Sequence, residues 1–186
     1  MHHSVINFID KELTLQMIRN KRVLEVGSLD VNGSVRPLVM GFAPGSYLGV
    51  DMREGPGVDR VVNACELIAT FGEESFDVVI STEMLEHVEN WRLAVDNMKQ
   101  VLRPGGTLLI TTRSEGFPLH EYPGDFWRFS LGDAARIFAD MEHVSLASDP
   151  QAPGIFVCAT KRTDTSYPVV TLSEINLFSM LTGTRG

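Results

Sequence analysis

Two stretches of the chain carry residue types that can do chemistry. Residues 23–34, VLEVGSLDVNGS, set Glu25 inside an apolar run and then break into Gly27, Ser28, Asp30, Asn32 and Gly33. A carboxylate in a run meant for burial is costly unless something compensates it. A parallel strand that ends in a glycine turn presents backbone N–H groups to a ligand at its carboxyl edge. The glycines alone fit a bare strand–turn–helix as well as a ligand cradle; Glu25 favours the cradle. Asp51 closes the run YLGVD a strand, helix and strand later. An acid there accepts hydrogen bonds from the ribose hydroxyls of a nucleotide-like ligand. Alone it would be read as a surface-turn acid; at this spacing from the first loop, the ribose reading is the better one.

The second stretch is residues 113–130, RSEGFPLHEYPGDFWRFS. Aromatic rings around a few polar groups build small-molecule pockets, although the same rings also pin long loops. Phe126 and Phe129 are assigned to packing, and Tyr122, Trp127 and Arg128 to an acceptor. His120 is the first candidate to take a hydroxyl proton near neutral pH, with Asp125 to orient it or serve as the second candidate. His120, Asp125 and Glu121 have ligand chemistry, but one cluster in one loop does not define a metal site, and no metal is expected.

The elements that must position these residues alternate. Helical spacing is read over 5–18, 35–42 and 91–102, and a helix opened by Ser130 and Asp133 runs to 139. Strands are read at 22–26, 46–51, 58–63, 76–81 and 107–112. The run FDVVIS is apolar and β-branched, as expected for a strand covered on both faces. Two further strands, 143–148 and 154–161, are joined by a linker too short for a parallel crossover and are therefore antiparallel. Residues 1–162 are read as one domain with an N-terminal helix, and 163–186 as an extension. In the extension Ser173 opens a short helix carrying Leu177, Phe178 and Leu181, which docks on its own domain or makes a homodimer.

Composition narrows the partners. The 186 residues carry a net charge of −8 with 16 scattered basic side chains, which argues against nucleic acid as a partner. No apolar run approaches the ~20 residues that span a bilayer, and 1–15 lacks a secretory pattern. Cys65 and Cys158 are read as buried free thiols in a reducing compartment, hence a cytoplasmic protein.

Taken together, VLEVGS, YLGVD, VVNA, FDVVISTEMLEHV and LRPGGTLLIT resemble the class I S-adenosylmethionine-dependent methyltransferases over residues 22–112, and the terminal hairpin extends the likeness to about 161. The resemblance implies an α/β, Rossmann-like, seven-stranded mostly parallel sheet in order 3-2-1-4-5-7-6, with strand 7 antiparallel. It implies that Glu25 and Gly27 lie beside the methionine portion of the cofactor, that Ser28 and Gly33 also bind the cofactor, and that Asp51 binds ribose. Met52, Asn63 and Ala64 fall at the adenine, and Ser81, Thr82 and Glu83 at the sulfonium side. His87, within Leu-Glu-His-Val, falls at the acceptor edge, where the family's histidine often serves structure. The usual Gly-x-Gly-x-Gly loop is replaced, only Gly27 keeping its place, and Asn63 stands where an acid is common. The H-x-Y-P-x-D-x-W-R-F segment also resembles one in small methyltransferases encoded beside sugar and polysaccharide biosynthesis genes. The expected function is methyl transfer from S-adenosylmethionine to a small molecule, a sugar or other hydroxyl. The altered loop keeps a non-catalytic cofactor-binding protein as the alternative. A nicotinamide-type oxidoreductase ranks lower, since Gly-x-Gly-x-x-Gly is missing.

Overall fold

The computed structural model describes residues 2–120, 124–164 and 170–186. Its strands are β1 (Arg22–Val26), β2 (Ser46–Asp51), β3 (Arg60–Val61), β4 (Phe76–Thr82), β5 (Leu102–Arg113), β6 (Trp127–Arg128), β7 (Glu142–Ser148), β8 (Gly154–Thr160) and β9 (Phe178–Ser179). Seven of them form one sheet in the order β3-β2-β1-β4-β5-β8-β7, while β6 and β9 pair separately. Once β6 is set aside, this is the expected 3-2-1-4-5-7-6. Strands β1 to β5 pair in parallel, and β8 runs antiparallel to both of its neighbours.

Alternation along the central strands feeds two apolar layers. Leu24, Val26, Val79, Leu108 and Ile110 point to one side, against Trp91, Ala94, Val95 and Met98 of α5 (Trp91–Val101) and Ala134 and Ile137 of α6 (Leu131–Ile137). Val23, Val78, Ile80 and Leu109 point to the other, against Val5, Phe8 and Ile9 of α1 (His3–Glu12) and Val39 of α3 (Arg36–Gly41). Both faces of the parallel strands are covered, so their apolar runs are continuous rather than alternating with polar residues.

Several elements differ from the sequence reading, each for a local reason. The single helix expected over 5–18 is two, α1 and α2 (Leu15–Ile18), because Thr14 breaks the run and its hydroxyl accepts from Met17 N. The strand expected over 58–63 is only Arg60–Val61, since Asp59 turns aside to hold Arg36 and the Gly49 N–H, and Asn63 caps a 3-10 turn at Ala64–Glu66. The helix over 130–139 ends at Ile137, with the expected Ser130–Asp133 capping box in place. The extension forms no helix on Ser173: a 3-10 turn at Leu172–Glu174 leads into β9. Its apolar side chains do not share one side either. Ile175 and Leu177 are buried in the chain's own core, whereas Leu181 is 73 % exposed. The extension therefore docks on its own domain. No described helix is long and apolar enough to cross a membrane.

Candidate active site

A cleft of about 1450 Å³ opens along the carboxyl ends of β1, β2, β4 and β5. One end is built by the loop after β1. The backbone N–H groups of Gly27 and Ser28 both reach the Val50 carbonyl, at 2.8 and 3.0 Å, and fold the loop over the end of β2. Gly27 has φ +81, and a Cβ there would lie 2.5 Å from Met84 Cγ, so both conformation and space exclude a side chain. Asp51 accepts from Leu29 N at 3.4 Å through one carboxylate oxygen and from Arg53 N at 3.0 Å through the other. A carboxylate has about four acceptor sites, so capacity remains toward the cleft it lines.

The missing glycines are replaced by a clamp. Arg36 at the start of α3 donates to both carboxylate oxygens of Asp59 (3.1 and 2.5 Å) and to the Gly57 carbonyl (2.9 Å), while the Gly49 N–H donates to Asp59 Oδ2 at 2.7 Å. Hydrogen bonds from Arg36 and Gly49 hold the Asp59 carboxyl below its ordinary value, against a burial effect that works the other way. Asp30 N bonds the Pro56 carbonyl at 2.8 Å, and Gly33 N closes a turn on Asp30 Oδ1 at 2.8 Å. The long loop is thus fixed to the 55–59 turn by side chains, where the more usual sequence relies on glycines. The glycine spacing gave no sign of it.

Glu25 lines the floor of the cleft, its Oε2 accepting from the Tyr47 hydroxyl at 2.5 Å. Burial, only partly offset by Tyr47 and Arg36, lifts its carboxyl to about 7. Met52 is exposed over the cleft, and Asn63 and Ala64 line it, with Asn63 Oδ1 already accepting from Cys65 N at 2.9 Å. Thr82 and Glu83 line the middle. Ser81 does not: it is fully buried behind the wall, because successive residues of a strand face opposite sides.

Glu83 begins the other end of the cleft. Its φ of +53 is unusual for a non-glycine residue. Its Oε1 accepts from Thr111 Oγ1 at 2.9 Å and its Oε2 pairs with Arg113. Arg113, absent from the sequence candidates, ends β5, lies 4.2 Å from the centre of the Phe117 ring, and sits 3.5 Å from Asp149. Burial, and then the nearby charge of Glu86, raises the Glu83 carboxyl above its ordinary value.

The histidines meet here. The His87 Nδ1–H donates to the Gly124 carbonyl, and His120 Nδ1 lies 3.1 Å from Asp125 Oδ2, which also accepts from His120 N at 2.9 Å. Arg128 donates to both Asp125 oxygens, at 2.5 and 2.7 Å. Burial alone would raise Asp125, but these hydrogen bonds from Arg128 and the His120 N–H keep its carboxyl below the ordinary range. An ionised Asp125 only accepts, so His120 Nδ1 carries the proton and Nε2 keeps a lone pair. Burial pushes the His120 imidazole below its usual value, which favours this neutral form.

Sequence candidates divide accordingly. Glu25, Gly27, Ser28, Gly33, Asp51, Met52, Asn63, Ala64, Thr82, Glu83, His87 and His120 line one cleft. Arg128 and Asp125 are buried beneath it, and Arg128 spends its remaining donors on the carbonyls of Phe117, Pro118 and Trp127. Trp127 faces the backbone, its Nε1 donating to the Val88 and Glu89 carbonyls at 3.1 Å. Phe126, assigned to packing alone, lines the cleft with Phe117. Tyr122 and Glu121 lie outside the described residues.

A Rossmann-like sheet with a glycine turn after β1, an acid ending β2 and a cleft over the crossing point defines a nucleotide-cofactor enzyme class. Comparison with known proteins narrows it. Residues 22–110 match the family described as "Methyltransferase domain". Over 131 residues the chain is 31% identical to the phthiotriol/phenolphthiotriol dimycocerosates methyltransferase 1 of Mycobacterium ulcerans, covering 64% of this chain and 48% of that protein. Over 121 residues it is 31% identical to the ubiquinone biosynthesis O-methyltransferase of Pseudomonas entomophila, covering 58% and 49%. The chain spans about half the length of the curated relatives it matches. Among solved structures it resembles the S-adenosylmethionine-dependent methyltransferase of Mesorhizobium loti, with a TM-score of 0.64 and 16% identity over 85% of this chain and 98% of that one. It also resembles the Burkholderia thailandensis 1,6-didemethyltoxoflavin-N1-methyltransferase bound to S-adenosylhomocysteine, with a TM-score of 0.64 and 18% identity over 85% and 78%. The fold and these similarities support a class I S-adenosylmethionine-dependent methyltransferase.

Proposed function

We propose that this domain transfers a methyl group from S-adenosylmethionine to a hydroxyl of a small-molecule acceptor. The observation that carries the reading is the continuity of one cleft from Gly27 and Asp51 to His87 and His120. Bound S-adenosylmethionine supplies a methyl group on a sulfonium, already a good leaving group, so the chain contributes mainly alignment. Asp51 accepts the ribose hydroxyls. Gly27 leaves space for the backbone to approach, and Met52, Asn63 and Ala64 border the base. Thr82 and Glu83 occupy the junction, while Phe117 and Phe126 displace water around the acceptor. His120 Nε2 is the atom at which the hydroxyl proton is taken. Asp125 and Arg128 act through His120 by fixing its tautomer rather than by touching the acceptor.

Oxygen as the acceptor atom is supported by the relatives named as O-methyltransferases. The scattered basic residues and net charge of −8 fit a small molecule better than a nucleic acid. Cys158 is buried as expected while Cys65 is only half-buried at the cleft, and both are free thiols, which fits a cytoplasmic setting. The test is calorimetry with S-adenosylmethionine, S-adenosylhomocysteine and NAD, followed by labelled-methyl transfer to a panel of hydroxylated and aminated small molecules. Asp51→Ala should weaken S-adenosylmethionine binding about 10- to 100-fold, the loss expected for hydrogen bonds to a charged group. Preference for NAD would overturn the reading. Tight cofactor binding without transfer to any acceptor would favour a regulatory protein instead.

A further inference from the structure

At the acceptor end three ligand-type atoms converge. Glu86 is fully buried; its Oε2 accepts from Thr112 Oγ1 at 2.8 Å, while its Oε1 has no hydrogen-bond partner among the described residues. That oxygen lies 3.9 Å from His87 Nε2 and 3.9 Å from His120 Nε2. One ligand atom from each of the three residues falls within 4.8 Å of the other two. Each histidine is anchored through its opposite nitrogen, His87 by the Gly124 carbonyl and His120 by Asp125. Both acceptors require a proton on Nδ1, which leaves Nε2 of each ring as the atom turned toward Glu86 Oε1. Three such atoms at this spacing need a shared proton or a cation between them.

We infer that Glu86, His87 and His120 form a divalent-cation site at the acceptor end of the cleft. The arrangement has the parts such a site needs: two imidazoles and one carboxylate, with the imidazoles oriented by a backbone carbonyl and a second carboxylate. First-row ions sit about 2.1 Å from such ligands, which places neighbouring ligand atoms about 3.0–3.6 Å apart. The two 3.9 Å separations therefore need to close by less than about 1 Å, and the third, which is within 4.8 Å, by less than about 2 Å. His87 and His120 line the cleft, so the remaining coordination positions open toward the acceptor. Glu83 is not needed as a ligand, since Thr111 and Arg113 already engage it.

The site deepens the methyl-transfer reading and rests on it. The cation takes the acceptor hydroxyl as a ligand and lowers its pKa. The O–H proton passes to water and the electron pair stays on the metal-bound oxygen, which is then the nucleophile. His120 is in that case a ligand, and the proton-accepting role assigned to its Nε2 belongs to the ion-free protein alone. The preferred acceptor is a hydroxyl compound able to bind a metal through oxygen.

The experiment uses the full chain after chelator treatment, without cofactor or acceptor. Mn²⁺ and Zn²⁺ are titrated by calorimetry, and Mn²⁺ binding is read independently by electron paramagnetic resonance. One ion per chain is expected. Glu86→Gln, close in shape to the native residue, and His87→Gln should each weaken binding at least 10-fold, with unchanged circular dichroism showing that the variants fold. Asp51→Ala should bind the ion as the native protein does while losing S-adenosylmethionine. Absence of ion binding to the folded native chain, or native-like binding by both ligand variants, would overturn the site. Ion binding without methyl transfer would support the site and count against the transfer reading. Transfer that survives complete chelation would do the reverse.

Discussion

Glu25→Gln separates the buried acid's influence on stability from every other titrating group. Glu25 lies in the interior of β1, flanked by Gly49 of β2 and Ile80 of β4. Burial, opposed by the Tyr47 hydrogen bond and by Arg36, raises its pKa from 4.5 to about 7. In the unfolded chain it ionises near the lower value. Between these limits the native state holds a proton that the unfolded state has released, so stability falls as pH rises through the window, and above about 7 the loss is complete. At about 1.4 kcal/mol per pH unit the full span amounts to about 3 kcal/mol. From about pH 5 to about pH 8 roughly 2–3 kcal/mol of it should appear, because the unfolded carboxyl is already mostly ionised at the lower pH. Glutamine keeps an oxygen to accept from Tyr47 and does not titrate. Urea unfolding followed by circular dichroism on both proteins across this range should show the native protein losing roughly 2–3 kcal/mol more than the variant. Parallel profiles would refute the assignment of a protonated, buried Glu25.

Three other outcomes follow from the same geometry. Gly27→Ala combines a left-handed backbone with contact on Met84, so it should destabilise by about 1–2 kcal/mol in urea unfolding and displace Met84 into the cleft, weakening S-adenosylmethionine in calorimetry. Arg128→Leu leaves Asp125 buried without its cation and should cost about 3–5 kcal/mol by denaturant unfolding, with cofactor affinity retained by whatever fraction stays folded. Leu177→Ala, a truncation in the core far from the cofactor, should lower stability by about 2–5 kcal/mol without shifting cofactor affinity.

Much of this was legible because the central strands are covered on both faces. FDVVIS reads as β4 whatever surrounds it, and Ser130 with Asp133 marks the start of α6 by a local hydrogen-bond pattern. Elements fixed by distant partners were not legible. Residues 58–63 look like a strand until Asp59 is drawn away by Arg36, which is 23 positions earlier. The extension shows helical spacing at Leu177, Phe178 and Leu181, yet its conformation is set by pairing with Trp127–Arg128 and by burial of Ile175 and Leu177. At the site, Gly27 and Asp51 could be located because each follows or ends an apolar strand run in a short local motif. His87 and His120 are 33 positions apart, and nothing in either local pattern shows that both aim at Glu86. Arg113 would have been found by asking what neutralises Glu83 at the adjoining strand end. Arg128 was misplaced because an arginine among aromatic residues reads the same whether it faces a ligand or a buried aspartate.

The pairing of β6 with β9 gives the cleft a built-in timetable. The residues proposed to grip the nucleoside lie between 25 and 64. The opposite wall is held by contacts from residues 178–185: Phe178 and Ser179 pair with Trp127 and Arg128, Met180 N bonds the Phe126 carbonyl, and Arg185 reaches Glu115 and Asp133. On a ribosome residues 25–64 therefore emerge well before the strap that holds the opposite wall. A nascent or clipped chain of this kind would bind cofactor before it could hold an acceptor, so the two affinities should part company during synthesis and limited proteolysis alike.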